Sequence, residues 1–183
     1  MHVMPAYKDV LHFWFEETEH SQWWTKDEAF DSLIRHRFSD VHGKAVRCEL
    51  FRWRENGAGR LAEILVLDQF SRNMFRGKPQ AFANDALALA LAQEAISRGV
   101  DHNLSPVRKG FLYLPFMHSE SLEIHKVAEK LYRTQGLEDN LHWEIKHKNI
   151  IERFGRYPHR NAILGRPSTP EEIVFLKQPG SCF

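Results

Sequence analysis

At 183 residues and 21.5 kDa, the chain can fill one substantial hydrophobic core but is short for two ordinary domains, so a single domain over residues 1–183 is expected. Hydrophobic residues make up 43% and charged residues 27%, which excludes disorder of the highly charged kind. The formal net charge of +1 supplies no global field for nucleic acid or an anionic membrane, and neither is expected as a partner.

The opening MHVMPAYKDVLHFWF lacks the basic, apolar and small-residue succession of a secretory leader, and no later stretch is apolar for long enough to span a bilayer. A cytoplasmic location is the expectation. Cys48 and Cys182 are too few and too far apart to form a disulfide framework or a zinc motif, and neither is assigned a role.

Helical periodicity dominates, and no Asn-Gly or Asp-Gly hairpin turn occurs, so the fold class predicted is all-α. Val10, Leu11, Trp14 and Phe15 give the segment from Tyr7 to Glu17 an apolar face. Thr25-Lys26-Asp27-Glu28 fits a capping box and predicts the start of a long helix carrying Phe30, Leu33, Ile34 and Phe38. A further stretch towards Trp53 ends before Gly57-Ala58-Gly59, read as a breaker, and helix resumes near Arg60 and runs to about Phe75. Asn84 or Asp85 can cap the next helix, which reaches Arg98 and closes on Gly99. Ser105-Pro106 opens a short helix that Pro115 limits, and another is expected from Ser119 towards Gln135. Glu138 to Phe154 follows, ended by Gly155 and Pro158, and Thr169-Pro170-Glu171-Glu172 caps a last short helix.

Four places concentrate polar side chains on otherwise apolar ground. Asp68 and Arg72 continue the stripe of Leu61, Ile64 and Leu65, so two charges enter a buried face, either as a polar pocket or as an ion pair tying helices together. His118 lies in a break between helices and is placed at the positive end of the following helix, whose field would keep the ring neutral and suited to proton transfer, with Glu120 in the first turn; ordinary capping is the alternative. Trp143, His147, Ile150, Ile151 and Phe154 share a helix face, so His147 is expected to point inward, where a satisfied core histidine is the plain reading. Beyond it, Arg153, Arg156, His159, Arg160 and Asn161 crowd a sharp turn, where guanidinium forks suit a carboxylate or phosphate unless they merely satisfy the helix end.

No His-Glu-x-x-His zinc motif, Walker loop, Rossmann glycine pattern or Gly-x-Ser-x-Gly elbow occurs, so neither a metal nor a cofactor is expected. The candidate site comprises His118, Glu120 and His159 as acid–base groups, with Asp68, Arg72, Asn73, His147, Arg153, Arg156, Arg160 and Asn161 as ligand-binding groups. The expected ligand is a small anion, with a peptide or protein partner, or purely structural ion pairs, as the alternatives.

These motifs carry a resemblance. Phe13-Trp14-Phe15, the run from Leu67 through Asp68, Arg72 and Asn73 to Gly77, Leu114 to Glu120, and Arg153 to Asn161 followed by Leu164-Gly165-Arg166 together resemble the family called domain of unknown function 924 over nearly the whole chain. The resemblance implies a tetratricopeptide-like stack of helical hairpins and supplies no reaction or ligand. One departure is visible at His125, where that family's pattern usually carries glutamine.

Overall fold

The computed structural model describes residues 6–181, and among them every regular element is helical. The α-helices are α1 (Tyr7–His12), α2 (Glu28–Val46), α3 (Gly57–Leu65), α4 (Ser71–Met74), α5 (Asp85–Ser97), α6 (Pro106–Met117), α7 (Leu122–Tyr132), α8 (Glu138–Phe154) and α9 (Pro170–Phe175). The positions of Cys182 and of the first five residues of the opening segment lie outside the described residues, whereas Cys48 is exposed. No helix among the described residues is long and apolar enough to cross a membrane.

Helix α6 occupies the middle, packing against α3, α5, α7 and α8, and its residues Gly110 to Met117 are all buried. That burial explains why Pro115 does not end the helix as its sequence position suggests. A proline inside a helix costs roughly 3 kcal/mol. Removing a continuous run of large apolar side chains from water returns about 1.5–3 kcal/mol for each. The following helix starts at Leu122 behind Ser121, later than the expected Ser119. His118 is therefore the C-cap of α6, its amide donating to Leu114 O at 3.0 Å, and it sits at the negative end of a helix, not the positive one.

Two π-helical turns, Phe13–Glu17 after α1 and Val66–Phe70 between α3 and α4, widen their helices by one residue and meet in the core. Phe70 lies 6.1 Å from Phe13 and 5.6 Å from Trp14, ring centre to ring centre. Edge and tilted aromatic contacts of this kind add about 0.5–1.5 kcal/mol beyond burial.

Two further starts differ from the sequence pattern. Asp27, not Thr25, caps α2 by accepting from Ala29 N at 2.8 Å and Phe30 N at 3.2 Å, because Thr25 instead donates its hydroxyl to Ser21 O at 2.7 Å. Helix α3 begins at Gly57, not Arg60, since Asn56 accepts from Gly59 N at 2.8 Å and makes the glycines the first turn. Gly59 is required there for another reason: a Cβ on it would sit 2.1 Å from the Trp53 carbonyl oxygen. The caps at Thr169 and the glycine stops at Gly99 and Gly155 form as their sequence motifs predict.

Gly59→Ala is expected to destabilise the protein by about 3 kcal/mol, the upper range for forced overpacking. Gly155→Ala, where the strain is one left-handed residue with open space around it, is expected to cost only about 1 kcal/mol. Urea unfolding midpoints of the two variants check the ordering.

Candidate functional site

The site is built around one buried carboxylate. Asp68, in the π turn between α3 and α4, is 1% exposed. Its Oδ2 accepts from Gln69 Nε2 at 2.7 Å, and its Oδ1 meets His118 Nδ1 at 2.7 Å and Arg72 Nη1 at 3.2 Å. Burial alone would raise its pKa, but the Arg72 and His118 side chains outweigh burial and hold it below the usual carboxylate range.

Arg72 reaches from α4 to the first residue of α5, donating to Asp85 Oδ1 at 2.8 Å and Oδ2 at 3.0 Å. Asp85 also accepts from Arg160 Nη1 at 3.2 Å, and Arg160 Nη2 donates to the His118 carbonyl at 2.9 Å. The Arg160 guanidinium lies over the rings of Phe82 and Tyr157, at 4.5 and 4.7 Å from their centres. Its Nε–H is buried without a hydrogen bond. Two guanidiniums thus face two carboxylates, and the four formal charges cancel.

His118 is the group this frame leaves open. Because a carboxylate only accepts, the Asp68 contact assigns the proton of the neutral ring to Nδ1 and the lone pair to Nε2. No described protein group bonds to Nε2, and the side chain retains 15% exposure. Burial and the neighbouring Arg72 push the His118 pKa down, against the opposing pull of Asp68. The neutral ring expected at a helix N-terminus is instead favoured at a helix C-terminus, by desolvation and a neighbouring guanidinium.

The other sequence-derived candidates divide. Glu120 stands beside the cluster: Arg166 donates to both of its oxygens, at 2.7 and 2.9 Å, and Tyr157 N donates to Oε1 at 2.7 Å. His147, buried, and His159, half-buried, flank Tyr157, their rings 5.8 and 5.6 Å from it, with pKa values pushed down to about 3 and about 4, chiefly by desolvation. His147 points inward as its helix face requires, whereas Trp143, placed on the same face by periodicity, is 48% exposed.

Three candidates lie elsewhere, and a fourth, Asn161, touches the cluster only by accepting from Arg166 Nε at 3.0 Å. Asn73 donates to Asp31 at 2.8 Å, in a separate cluster with Arg76. Arg153 pairs with Glu171 on the exposed side of α9. Arg156 and Asn161 both serve Glu172, the N3 residue of the α9 capping box, whose carboxyl is lowered to about 2 mainly by Arg156. These residues fasten the last helix.

Asp85, Gln69, Phe82, Tyr157 and Arg166 belong to the cluster and were not picked out by sequence reasoning. Asp85 appeared there only as a helix cap, and nothing in local spacing pairs it with Arg72 or Arg160. Among the described residues, no group of three histidine, cysteine, aspartate or glutamate side chains is arranged to hold a metal ion.

Asp85→Asn is expected to cost about 3 kcal/mol, since it takes from buried Arg160 its carboxylate partner and leaves Arg72 with Asp68 alone. Glu171→Gln removes only the exposed partner of Arg153 and is expected to stay within about 0.5 kcal/mol of the parent. Chemical denaturation of both variants at neutral pH measures the contrast.

Comparisons with known proteins identify the family. A family model described as a bacterial protein of unknown function, DUF924, matches residues 10–180. The solved structure of a protein of unknown function from Agrobacterium tumefaciens is 43% identical, covers 93% of this chain and 96% of its own, and superposes with a TM-score of 0.89. No curated protein matches. With its match to the family model extending from α1 past α9, the chain belongs to the DUF924 family.

Proposed function

We propose that the Asp68–His118 pair, with Arg72 and Arg160, forms a binding site for a small carboxylate- or phosphate-bearing molecule, in which His118 Nε2 accepts a proton. The observation that carries this reading is the 2.7 Å contact from Asp68 to Nδ1, which leaves Nε2 without a protein hydrogen bond on a ring that feels the Arg72 charge. A carboxylate behind an imidazole fixes the tautomer and stabilises the imidazolium once it forms.

Charge balance makes the reading specific. Asp68, Asp85, Arg72 and Arg160 already compensate one another, so an incoming anion adds an unmatched charge unless His118 becomes protonated. Binding an anion and taking up a proton are then one event. The molecule bound is in effect an acid, its proton on His118 and its anionic group against the guanidiniums. The same chemistry covers the terminal carboxylate of a peptide held in a tetratricopeptide-like helical repeat, the other partner the sequence suggests.

Thermal unfolding in the presence of sulfate and of acetate, neither of which titrates between pH 6 and 8, tests the proposal, with acetamide as the neutral comparator. A hundredfold excess over the dissociation constant should add about 2.7 kcal/mol of stability. Affinity should strengthen as the pH falls from 8 to 6, by up to about tenfold per unit, because the free-state pKa of His118 is depressed and that of the complex is raised. His118→Asn should abolish the pH dependence, and Arg153→Ala should bind as the parent does. Stabilisation by neither anion would leave the cluster a set of structural struts.

A further inference from the structure

Behind His118 lies a second acid–base pair that meets the cluster only through Tyr157 and bonds to none of the side chains of Asp68, His118, Arg72 and Arg160. His125 of α7 and Glu144 of α8 are both 0% exposed, with His125 Nδ1 2.7 Å from Glu144 Oε1. The other ring nitrogen, Nε2, lies 2.8 Å from the Ser119 carbonyl oxygen and 3.2 Å from the Tyr157 hydroxyl.

Hydrogen-bond valence fixes the protons. A carbonyl can only accept, and the Tyr157 hydroxyl hydrogen is already given to the Met117 carbonyl at 2.5 Å, so Nε2 must carry a hydrogen. On the other side, Nδ1 and Oε1 are in contact and need one hydrogen between them. Either the carboxyl donates to a neutral ring or the imidazolium donates to a carboxylate. Both descriptions contain the same number of protons and the same net charge of zero. The third possibility, a carboxylate facing the lone pair of a neutral ring, would bury an uncompensated anion whose Oε2 has no hydrogen bond at all.

We infer that Glu144 and His125 hold one shared proton that the folded protein does not release across the neutral and mildly alkaline range, and that the His125 ring seated by this contact fixes the loop bearing His118 through its Nε2–H. The second half follows from where the bonds end. Tyr157 holds the Met117 carbonyl, Arg160 holds that of His118 and His125 holds that of Ser119, so three consecutive peptide units around the open histidine are clamped. His125 is thus a positioning residue, and this role rests on the reading of His118 given above.

The groups facing the pair do not remove the need for the proton. Tyr132 and Glu129 of α7, Lys148 and His147 of α8, and Tyr157 beyond α8 act on it. Glu129 and Lys148 oppose one another at Glu144, whose pKa is raised first of all by burial. The sign of the linkage is then set. In the unfolded chain a glutamate and a histidine carry this proton only up to about pH 6.5. Above that the native state binds one proton more, so stability declines as pH rises. The buried tyrosines, whose pKa values are raised, join the same trend only near pH 10.

The test uses the intact protein without ligand. Urea unfolding at pH 7, 8 and 9 should show the folding equilibrium constant falling about tenfold per pH unit. Glu144→Gln can donate its amide hydrogen to Nδ1 while Nε2–H keeps its bond to Ser119, so both hydrogen bonds survive without the linked proton. That variant should unfold with no pH slope over the same range and should retain the hydrogen-bonded Nδ1 proton resonance of His118. His125→Ala, which releases the Ser119 carbonyl, should lose that resonance. A flat wild-type profile, or a Glu144→Gln profile with the wild-type slope, overturns the shared proton. Loss of the His118 resonance in Glu144→Gln, or its survival in a folded His125→Ala protein, overturns the clamp. Since none of these readouts involves an anion, failure of anion binding would leave the proton assignment standing.

Discussion

Burying the carboxylate of Asp68 sets the terms for the rest of the architecture. A charge held at 1% exposure is tolerable only if its lone pairs are occupied and its charge is answered nearby. Gln69 occupies one oxygen, while His118 and Arg72 occupy the other. Arg72, itself largely buried, then requires Asp85, and Asp85 recruits Arg160, which ends on the backbone of His118. The chain of requirements closes on itself. In doing so it ties α4, α5, the end of α6 and the turn after α8 to a single point, and any one of those elements misplaced would leave an unpaired ion in the core.

The wide turn at Val66–Phe70 is the local device that makes this arrangement possible. All five of its residues are buried, which a regular amphipathic helix would not do. Asp68 can face the ionic cluster while Phe70 packs into the aromatic core against Phe13 and Trp14, the residues of the other π turn. Inserted turns of this kind recur at functional positions because they re-aim side chains without breaking the helix. Apolar packing and the polar cluster are therefore built from the same five residues, and the function proposed for His118 depends on both.

Much of the helical fold was legible in the sequence, because caps, glycine stops and apolar periodicity are local. Thr169 and Glu172, Gly99 and Gly155 needed no tertiary information. The failures have a common cause. Pro115, Gly57 and Gly59 are breakers by intrinsic preference, yet each is accepted where burial, the Asn56 cap or a close backbone approach decides the outcome. The site was legible to a similar depth. Asp68, Arg72, His118 and Arg160 stood out as charges on apolar ground, but Asp85 did not, because its role exists only once α4 and α5 are side by side. Arg153 and Arg156 were sequence neighbours of Arg160 and proved to serve α9, since three-residue steps around a turn point in different directions.

The protonation state of His118 joins the charge network to the proposed chemistry, and it can be observed directly. Long-range proton–nitrogen correlation spectra of the histidine rings, recorded from pH 5.5 to 8, report which nitrogen carries hydrogen. His118 is expected to keep hydrogen on Nδ1 alone at neutral pH, to begin to titrate only below the usual histidine range, and to move at Nε2 when sulfate is added. A ring that carries its hydrogen on Nε2, or that titrates near pH 6.5 without ligand as a solvent-exposed histidine does, would contradict it.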